Sequence, residues 1–513
     1  MKFLDQTLNL RYREAPLAMR PDNFRKLGHQ LIDKIADMFE ELPQRPVTTA
    51  ESPQAIRQRL GSGSLPERGA PASNLLQEAT ELLFDHSLFN GHPRFWGYIT
   101  ASAAPIGVLA DLLAASVNPN VGAFVLSPMA TEIEAQTIRW IADLIGYPSH
   151  CGGLLVSGGN MANFVGFLAA RKAKASEQAA GSLIGDQRLV AYVSQETHTW
   201  IDKAAELFGL GADAVRWIGV NAHQQMDTVA LEKQIIADRA AGYLPFLVVG
   251  TAGTTSTGAT DPLPEMAAIC RQYALWLHVD GAYGAPAVVL PDASPDLLGL
   301  READSIAIDP HKWLYSPLEA GCVLVRDPQH LAATFSHHPT YYNFDGGAAD
   351  APINYHELGL QNSRGFRALK VWLALRQVGR AGYREMIGDD IALAQALYAA
   401  IGTYPELQAV TQNLSITTFR FVPQGLPHDP FAVAAYLNKL NEELLNRLQK
   451  SGEAFVSNAV VEGNYLLRAC IVNFRTTLGD VEALPKIVIK LGRQLDTEMR
   501  AEFFSIQNVL EAV

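Results

Sequence analysis

LWLHVDGAYG (275–284) and DSIAIDPHKW (304–313) set the reading of the rest of the chain. Each is a short apolar run that stops abruptly at charged, glycine or histidine residues. Apolar runs without polar alternation are strands buried on both faces, as in a mostly parallel sheet covered by helices on both sides. The texture recurs in GGLLVS (152–157), RLVAYVS (188–194), AVRWIGV (214–220), PFLVVGTAG (245–253) and CVLVRD (322–327). Helix-like segments such as NMANFVGFLAARKAK (160–174) and DTVALEKQIIADRAAG (227–242) separate most of them. The alternation predicts an α/β layer fold with a mostly parallel sheet. Ligands in such folds bind at the carboxyl ends of the strands, so the polar residues there are the candidate site.

Outward from this core, residues 21–43 place Phe24, Leu27, Leu31, Ile35, Met38 and Leu42 on one helix face. Pro43 ends that helix, because proline lacks the amide donor and clashes with the preceding turn. The apolar face of so early an arm needs a partner, either its own chain or another subunit. Pro/Ser/Gly-rich segments follow, with short helical stretches between and after them. SPMATEIEAQTIRWIADLIG (127–146) reads as a helix with Ser127 as cap and Pro128 in its first turn. Beyond about residue 385, SITTFRFVP (415–423) and YLLRACIVNFR (465–475) read as strands and PFAVAAYLNKLNEELLNRLQK (430–450) as a helix. The expected organisation is an N-terminal helical arm (1–85), a large domain (86–385) and a small α+β domain (386–513).

The 513 residues are 48% hydrophobic and 18% charged, ordinary for a soluble globular chain. A net charge of −12, with no long basic block, disfavours nucleic acid as a partner. No apolar run is long enough to span a membrane, and the start carries no signal-peptide pattern. Four scattered cysteines, with no CxxC pair, suit a reduced cytoplasmic protein.

The strand ends carry the chemistry. GGLLV runs into SGGNMAN and a helix, which is either a phosphate cradle or a tight connection. His198 follows the next strand and is either structural or available to a ligand. Thr251, Thr254 and Thr255 follow another, as anion binders or loop caps. Asp280 ends LWLHVD beside Ala282, where a buried carboxylate is costly without a partner such as a protonated ring nitrogen. Lys312 follows DSIAI; a lysine in a dry pocket loses proton affinity and becomes a nucleophilic amine. A phosphate cradle, a flat histidine, an acid for a ring nitrogen and a lysine for an aldehyde together match the needs of pyridoxal 5'-phosphate.

The sequence resembles the group II pyridoxal-phosphate-dependent amino-acid decarboxylases, which include the aromatic-L-amino-acid decarboxylases. The resemblance runs through HPRFWGY (92–98), LADLLAA (109–115), SPMATEIE, GGLLVSGG, THTWIDKA (197–204), GTAGTTSTGATDPL (250–263), HVDGAYG, DPHKW, SRGFRALKVWLALR (363–376) and YLLRACIVNFRT. It implies fold type I, aspartate-aminotransferase-like, with a small C-terminal domain and an arm packed on a second subunit. The active site would lie at the interface of a homodimer, with residues 120–124 reaching the neighbour's pocket. Lys312 would form the Schiff base, Asp280 would pair with the pyridinium nitrogen, and His198 and Ala282 would cover the two ring faces. Gly158, Gly159 and Asn160 would hold the phosphate, helped by Asp309 and His311, and Thr251 would line the cofactor site. Asp309 stands where many relatives have Asn, and Asn160 replaces a small residue, often Ser. A carboxylate is unusual beside a phosphate, so hydrogen bonding of Asp309 to backbone is the alternative.

Residues 335–354 form a stretch without periodicity that suits a loop closing over a site. The resemblance implies a loop tyrosine as proton donor, best matched by Tyr341, with Tyr342 next. Tyrosine rather than phenylalanine there favours simple decarboxylation over oxidative aldehyde formation. His337 and His338 are adjacent, a spacing unlike most metal sites, and no metal is expected. Tyr98 and Ser363 would shape a pocket for an aromatic side chain; Arg468, or Arg94, would serve an acidic substrate. The expected activity is decarboxylation of an aromatic L-amino acid to amine and carbon dioxide. Acidic substrates and oxidative decarboxylation are the alternatives, with an aminotransferase or a catalytically silent relative further behind.

Overall fold

The computed structural model describes residues 10, 13, 15–178, 189–336 and 352–510. The chain falls into two compact units, Met1–Phe89 and Asn90–Val513. The first is built from helices Pro21–Glu41, Pro53–Leu60 and Ala72–His86. Pro21 sits in the first turn of its helix, where its missing N–H costs nothing. The helix stops at Glu41, and Pro43 lies in a 3-10 turn, Leu42–Gln44, directly after it. No residue of Pro21–Glu41 is buried; Phe24 and Ile32 are 59% and 38% exposed.

The second unit holds two sheets. Seven strands, β1 (Gly152–Val156), β2 (Leu189–Ser194), β3 (Val215–Ile218), β4 (Leu244–Thr251), β5 (Trp276–Asp280), β6 (Ser305–Ile308) and β7 (Gly321–Val325), pair in the order β1-β7-β6-β5-β4-β2-β3. The β2–β3, β2–β4, β4–β5 and β5–β6 ladders are parallel; only β7 runs against the rest. Every residue of β5, β6 and β7 is buried, as strands covered on both faces require. One core surrounds this sheet, into which helices Gly159–Gln178 and Pro128–Leu144 send Val165, Phe167, Ile138 and Ile141.

The other sheet is antiparallel, with β8 (Leu407–Asn413), β9 (Ile416–Phe421), β10 (Ser457–Val461) and β11 (Asn464–Cys470) in the order β10-β11-β9-β8. Its own core includes Phe419, Leu440, Leu444, Leu467 and Val488, and also Trp96. The HPRFWGY segment therefore belongs with this sheet: Trp96 is fully buried and its indole N–H donates to Thr476 Oγ1 at 3.1 Å. The expected boundary at 385/386 falls inside helix Ala368–Ile401, which is continuous apart from a break at Gly379 (φ +68°).

Ser127 does precede helix Pro128–Leu144, but its hydroxyl is not the cap expected. Its backbone is held at φ −161° and ψ 67°, and its Oγ donates instead to the carbonyl of Asn120 at 2.8 Å. The polar side chain is diverted to the loop before the helix.

Candidate active site

Sheet order assembles the site. Neighbouring strands β6, β5, β4 and β2 end, side by side, near Lys312, Asp280, Thr251 and His198. Register makes this tight: Thr251 faces Asp280 across one ladder, and Asp280 faces Ala307 across the next. Gly159, Asn160, His198, Thr251, Asp280, Ala282, Asp309 and Lys312 all line one cavity of about 150 Å³. Asn163, Thr255 and Tyr283 line it too.

Lys312 is delivered by a turn just past β6. Its amide donates to the carbonyl of Asp309 at 2.8 Å, and the amide of Tyr315 donates to the carbonyl of Lys312 at 3.0 Å. The ammonium lies 3.1 Å from Asp309 Oδ2, and His311 Nε2 is 3.6 Å from the same oxygen. The alternative that Asp309 hydrogen-bonds backbone is not met: its Oδ2 pairs with Lys312, and its buried Oδ1 has no partner. His311 Nδ1 accepts the Ala320 amide at 3.1 Å, and burial lowers the imidazole's proton affinity.

The bulky aromatics after Lys312 are its anchor. Trp313 Nε1 and Tyr315 OH both donate to Asp390 Oδ2, at 2.9 and 2.7 Å. Burial pushes the Asp390 carboxyl up to about 7. The Trp313 ring stacks on Tyr283 at 4.8 Å, and Tyr283 shares a 2.6 Å hydrogen bond with Ser415. The lysine turn is thus pinned to helix Ala368–Ile401 and, through Tyr283, to the start of β9.

Asp280, 7% exposed, accepts from Asn163 Nδ2 at 3.0 Å on one oxygen and from the Ala282 amide at 3.2 Å on the other. Thr251 is held by its backbone, whose N–H donates to Asp261 Oδ2 at 2.8 Å; its hydroxyl is buried without a partner. Burial pushes Asp261 up to about 6.

Gly158 lies between β1 and the 20-residue helix Gly159–Gln178, which Gly159 opens and whose N-terminal end faces the cavity. A Cβ on Gly159 would stand 2.8 Å from Asp309 Oδ2 and 3.3 Å from Ala282 Cβ, closing the approach to the helix N-terminus. Of the remaining expected residues, Tyr98 is 60% exposed, Ser363 is exposed, and neither lines the cavity. Arg468 is buried, its guanidinium donating to Ser457 Oγ at 2.7 Å and to the Tyr98 carbonyl at 2.9 Å. Arg94 pairs with Asp480 at 3.1 Å. Tyr341, Tyr342, His337 and His338 lie outside the described residues. Among the described residues no three His, Cys, Asp or Glu side chains cluster as a metal site.

The residues present fit pyridoxal phosphate. The cavity offers a primary amine, a buried carboxylate already accepting at both oxygens, an open glycine turn at a helix N-terminus, and the orphaned Thr251 hydroxyl. Comparison with known proteins points the same way. Residues 53–422 match the pyridoxal-dependent decarboxylase conserved domain. The chain is 35% identical to an aromatic-L-amino-acid decarboxylase of Bacillus atrophaeus, over 93% of this chain and 96% of that one. It superposes on an Oryza sativa TDC solved with PLP and tryptamine with a TM-score of 0.88, at 27% identity, over 94% of this chain and all of that one. A Rhodiola rosea 4-hydroxyphenylacetaldehyde synthase gives 0.83 at 26% identity, over 93% and 99%. The cofactor is pyridoxal phosphate, the fold is type I, and the chain belongs to the pyridoxal-dependent decarboxylase family.

Proposed function

We propose that this decarboxylase acts on aromatic L-amino acids, releasing the amine and carbon dioxide. Lys312 is assigned to hold the cofactor aldehyde and to give way to the substrate amine. Asp280 would accept the hydrogen bond of the ring nitrogen, His198 and Ala282 would cover the ring faces, and Gly158, Gly159, Asn160, Asp309 and His311 would hold the phosphate. Pyridoxal phosphate, when bound, supplies the electron sink that receives the pair left as the Cα–carboxylate bond breaks. Tyr341 is assigned the proton then delivered to Cα, the group that separates amine formation from aldehyde formation.

The observation that favours an aromatic over an acidic side chain is the state of the two arginines. Arg468 is committed to Ser457 and the Tyr98 carbonyl, and Arg94 to Asp480. At Arg468, which is 2% exposed, a substrate carboxylate binding at the terminal nitrogens would have to displace the Ser457 hydroxyl or the Tyr98 carbonyl, although its buried Nε has no partner; Arg94 is part-exposed and its pair with Asp480 is the weaker obstacle. The name of the Bacillus atrophaeus relative supports the same reading. With L-tyrosine, L-tryptophan, L-phenylalanine, L-aspartate and L-glutamate as a panel, kcat/KM for at least one aromatic substrate should exceed both acidic ones by about a hundredfold. That is the scale set by leaving one buried polar group unsatisfied. Higher kcat/KM on aspartate or glutamate would overturn the aromatic assignment.

A homodimer is proposed as the working form. Helix Pro105–Val117 leaves Leu109, Leu112, Leu113 and Val117 half-exposed or more, and the apolar stripe of Pro21–Glu41 is only partly covered, with Phe24 59% exposed and none of the helix buried. Exposed apolar helix faces of this kind mark association. No described helix is long and apolar enough to cross a membrane, and four unpaired cysteines support a reducing, cytoplasmic setting.

A further inference from the structure

A chain of buried hydrogen bonds lies directly behind Asp280. Trp276 Nε1 is 2.8 Å from Ser305 Oγ, Ser305 Oγ is 2.7 Å from His278 Nδ1, His278 Nε2 is 2.8 Å from Asn163 Oδ1, and Asn163 Nδ2 is 3.0 Å from Asp280 Oδ2. His278 and Ser305 have no exposed surface, Asn163 is 2% exposed and Trp276 3%.

The donors along this chain have one consistent assignment. An indole N–H can only donate, so Ser305 Oγ accepts from Trp276. Asn163 must present its N–H₂ to the Asp280 carboxylate, so its Oδ1 faces His278 and accepts. His278 therefore carries its proton on Nε2, and its bare Nδ1 accepts the Ser305 hydroxyl proton. A neutral imidazole is what burial enforces, holding its pKa down at about 4 against the nearby Asp280 charge. Each link donates toward the next, and the chain ends on the carboxylate.

The backbone makes room for this arrangement. His278 and Asp280 are two residues apart on β5 and share the sheet face covered by helix Gly159–Gln178. Gly166 of that helix lies against the imidazole: a Cβ there would stand 2.6 Å from His278 Cε1 and 2.7 Å from Nδ1. Trp200 packs edge-on to the same ring at 5.8 Å. Two oxygens of Asp280 are thus fixed from behind by Asn163 and Ala282, and the remaining lone pairs are turned to the cavity.

We propose that His278 and Asn163 are positioning residues for the cofactor: the one-way relay Trp276–Ser305–His278–Asn163 fixes the orientation in which Asp280 meets the pyridine nitrogen. The inference rests on the reading that Asp280 faces that nitrogen. His278 lies behind the cavity lining and Asn163 at its edge, and both act through Asp280.

The test uses the full-length protein titrated with pyridoxal phosphate. His278→Phe and Asn163→Leu cut the relay; His278→Gln keeps an amide donor where Nε2–H stood. The first two should raise the cofactor dissociation constant roughly tenfold or more, the scale of one hydrogen bond to a charged group. They should also move the visible absorption band of the bound cofactor and lower kcat more than they raise KM. His278→Gln should recover most of the affinity and the band position. If His278→Phe fails to fold, Ser305→Ala cuts the chain two links from the carboxylate and should shift affinity and band in the same direction, by roughly a few-fold. Folded variants with wild-type affinity and an unmoved band would overturn the proposal, as would a His278→Gln no better than His278→Phe. An Asp280→Ala variant that binds the cofactor as tightly as the wild-type protein would overturn the reading of Asp280 itself.

Discussion

Lys312→Ala should lose at least about a thousandfold in amine formation, the scale for removing a group that acts in the bond-making steps. The lysine is the primary amine lining the cavity beside Asp280, and it is held there by Asp309 at 3.1 Å. Its loss also leaves the Asp309 carboxylate with only His311 Nε2, at 3.6 Å, facing it. Two effects are therefore mixed, one chemical and one electrostatic, and a second variant separates them. Lys312→Arg keeps a cation beside Asp309 but cannot act as an amine nucleophile at accessible pH. Initial rates of carbon dioxide release should fall alike in both variants, while cofactor affinity should suffer more in Lys312→Ala. Substantial turnover by Lys312→Arg would mean that the positive charge, not the amine, is what the site needs.

Glu134→Ala should destabilise the fold by about 3–5 kcal/mol, the cost of stranding a buried charge. Glu134 and Arg364 are 0% and 1% exposed at their side chains and form a bidentate pair, with Arg364 Nη1 at 3.2 Å from Oε2 and Nη2 on Oε1. The pair is a junction of three segments. Arg364 also donates to the carbonyls of Val121 (2.8 Å) and Leu155 (2.5 Å), and Glu134 accepts the Leu155 amide at 2.9 Å. The Tyr355 ring lies 4.6 Å from the guanidinium. Removing the acid leaves the guanidinium in a dry site beside β1, one strand end from the Gly158–Gly159 turn. Urea denaturation of the apoprotein should show the drop, and Glu134→Leu combined with Arg364→Met should regain most of it, since a buried pair and a packed apolar pair are close in stability. A loss below about 1 kcal/mol in the single variant would show that water reaches the pair.

Much of this was legible because buried strands announce themselves. All seven strands of the large sheet coincide with apolar runs, and Lys312, Asp280, Thr251 and His198 stand where those runs end. Their pairing order was not legible: β6-β5-β4-β2 is a long-range property, and the convergence of the ends follows from the strand-end rule and the complementary chemistry of the residues, which the family resemblance reinforces. In the small domain the strands read from sequence, β9 and β11, are the two central ones. The unread ones, β8 and β10, are the two edges, where half-exposed residues dilute the apolar signal. Ser127 looked like a cap because serine before proline usually is one; a tertiary contact to Asn120 took its hydroxyl instead.

The residues missed at the site are those hidden inside regular elements. Asn163 reads as one more position of a helix and His278 as one more of a strand. Their significance appears only when helix Gly159–Gln178 is laid across β5. Spacing held a signal nonetheless: His278 is two residues before Asp280, hence on the same face. Tyr98 and Ser363 were drawn from aromatic clustering and small size, neither of which reports direction; both are exposed and neither is among the residues lining the cavity, although Ile99, next to Tyr98, is.

The central claim, non-oxidative decarboxylation of an aromatic amino acid, is tested most directly by product stoichiometry. Purified protein loaded with pyridoxal phosphate would be given the best aromatic substrate of the panel, and carbon dioxide, amine, aldehyde and ammonia quantified together. Carbon dioxide and amine in equal amounts, with no aldehyde or ammonia, is the predicted result. Aldehyde and ammonia in place of amine, or bound cofactor with no carbon dioxide at all, would contradict it.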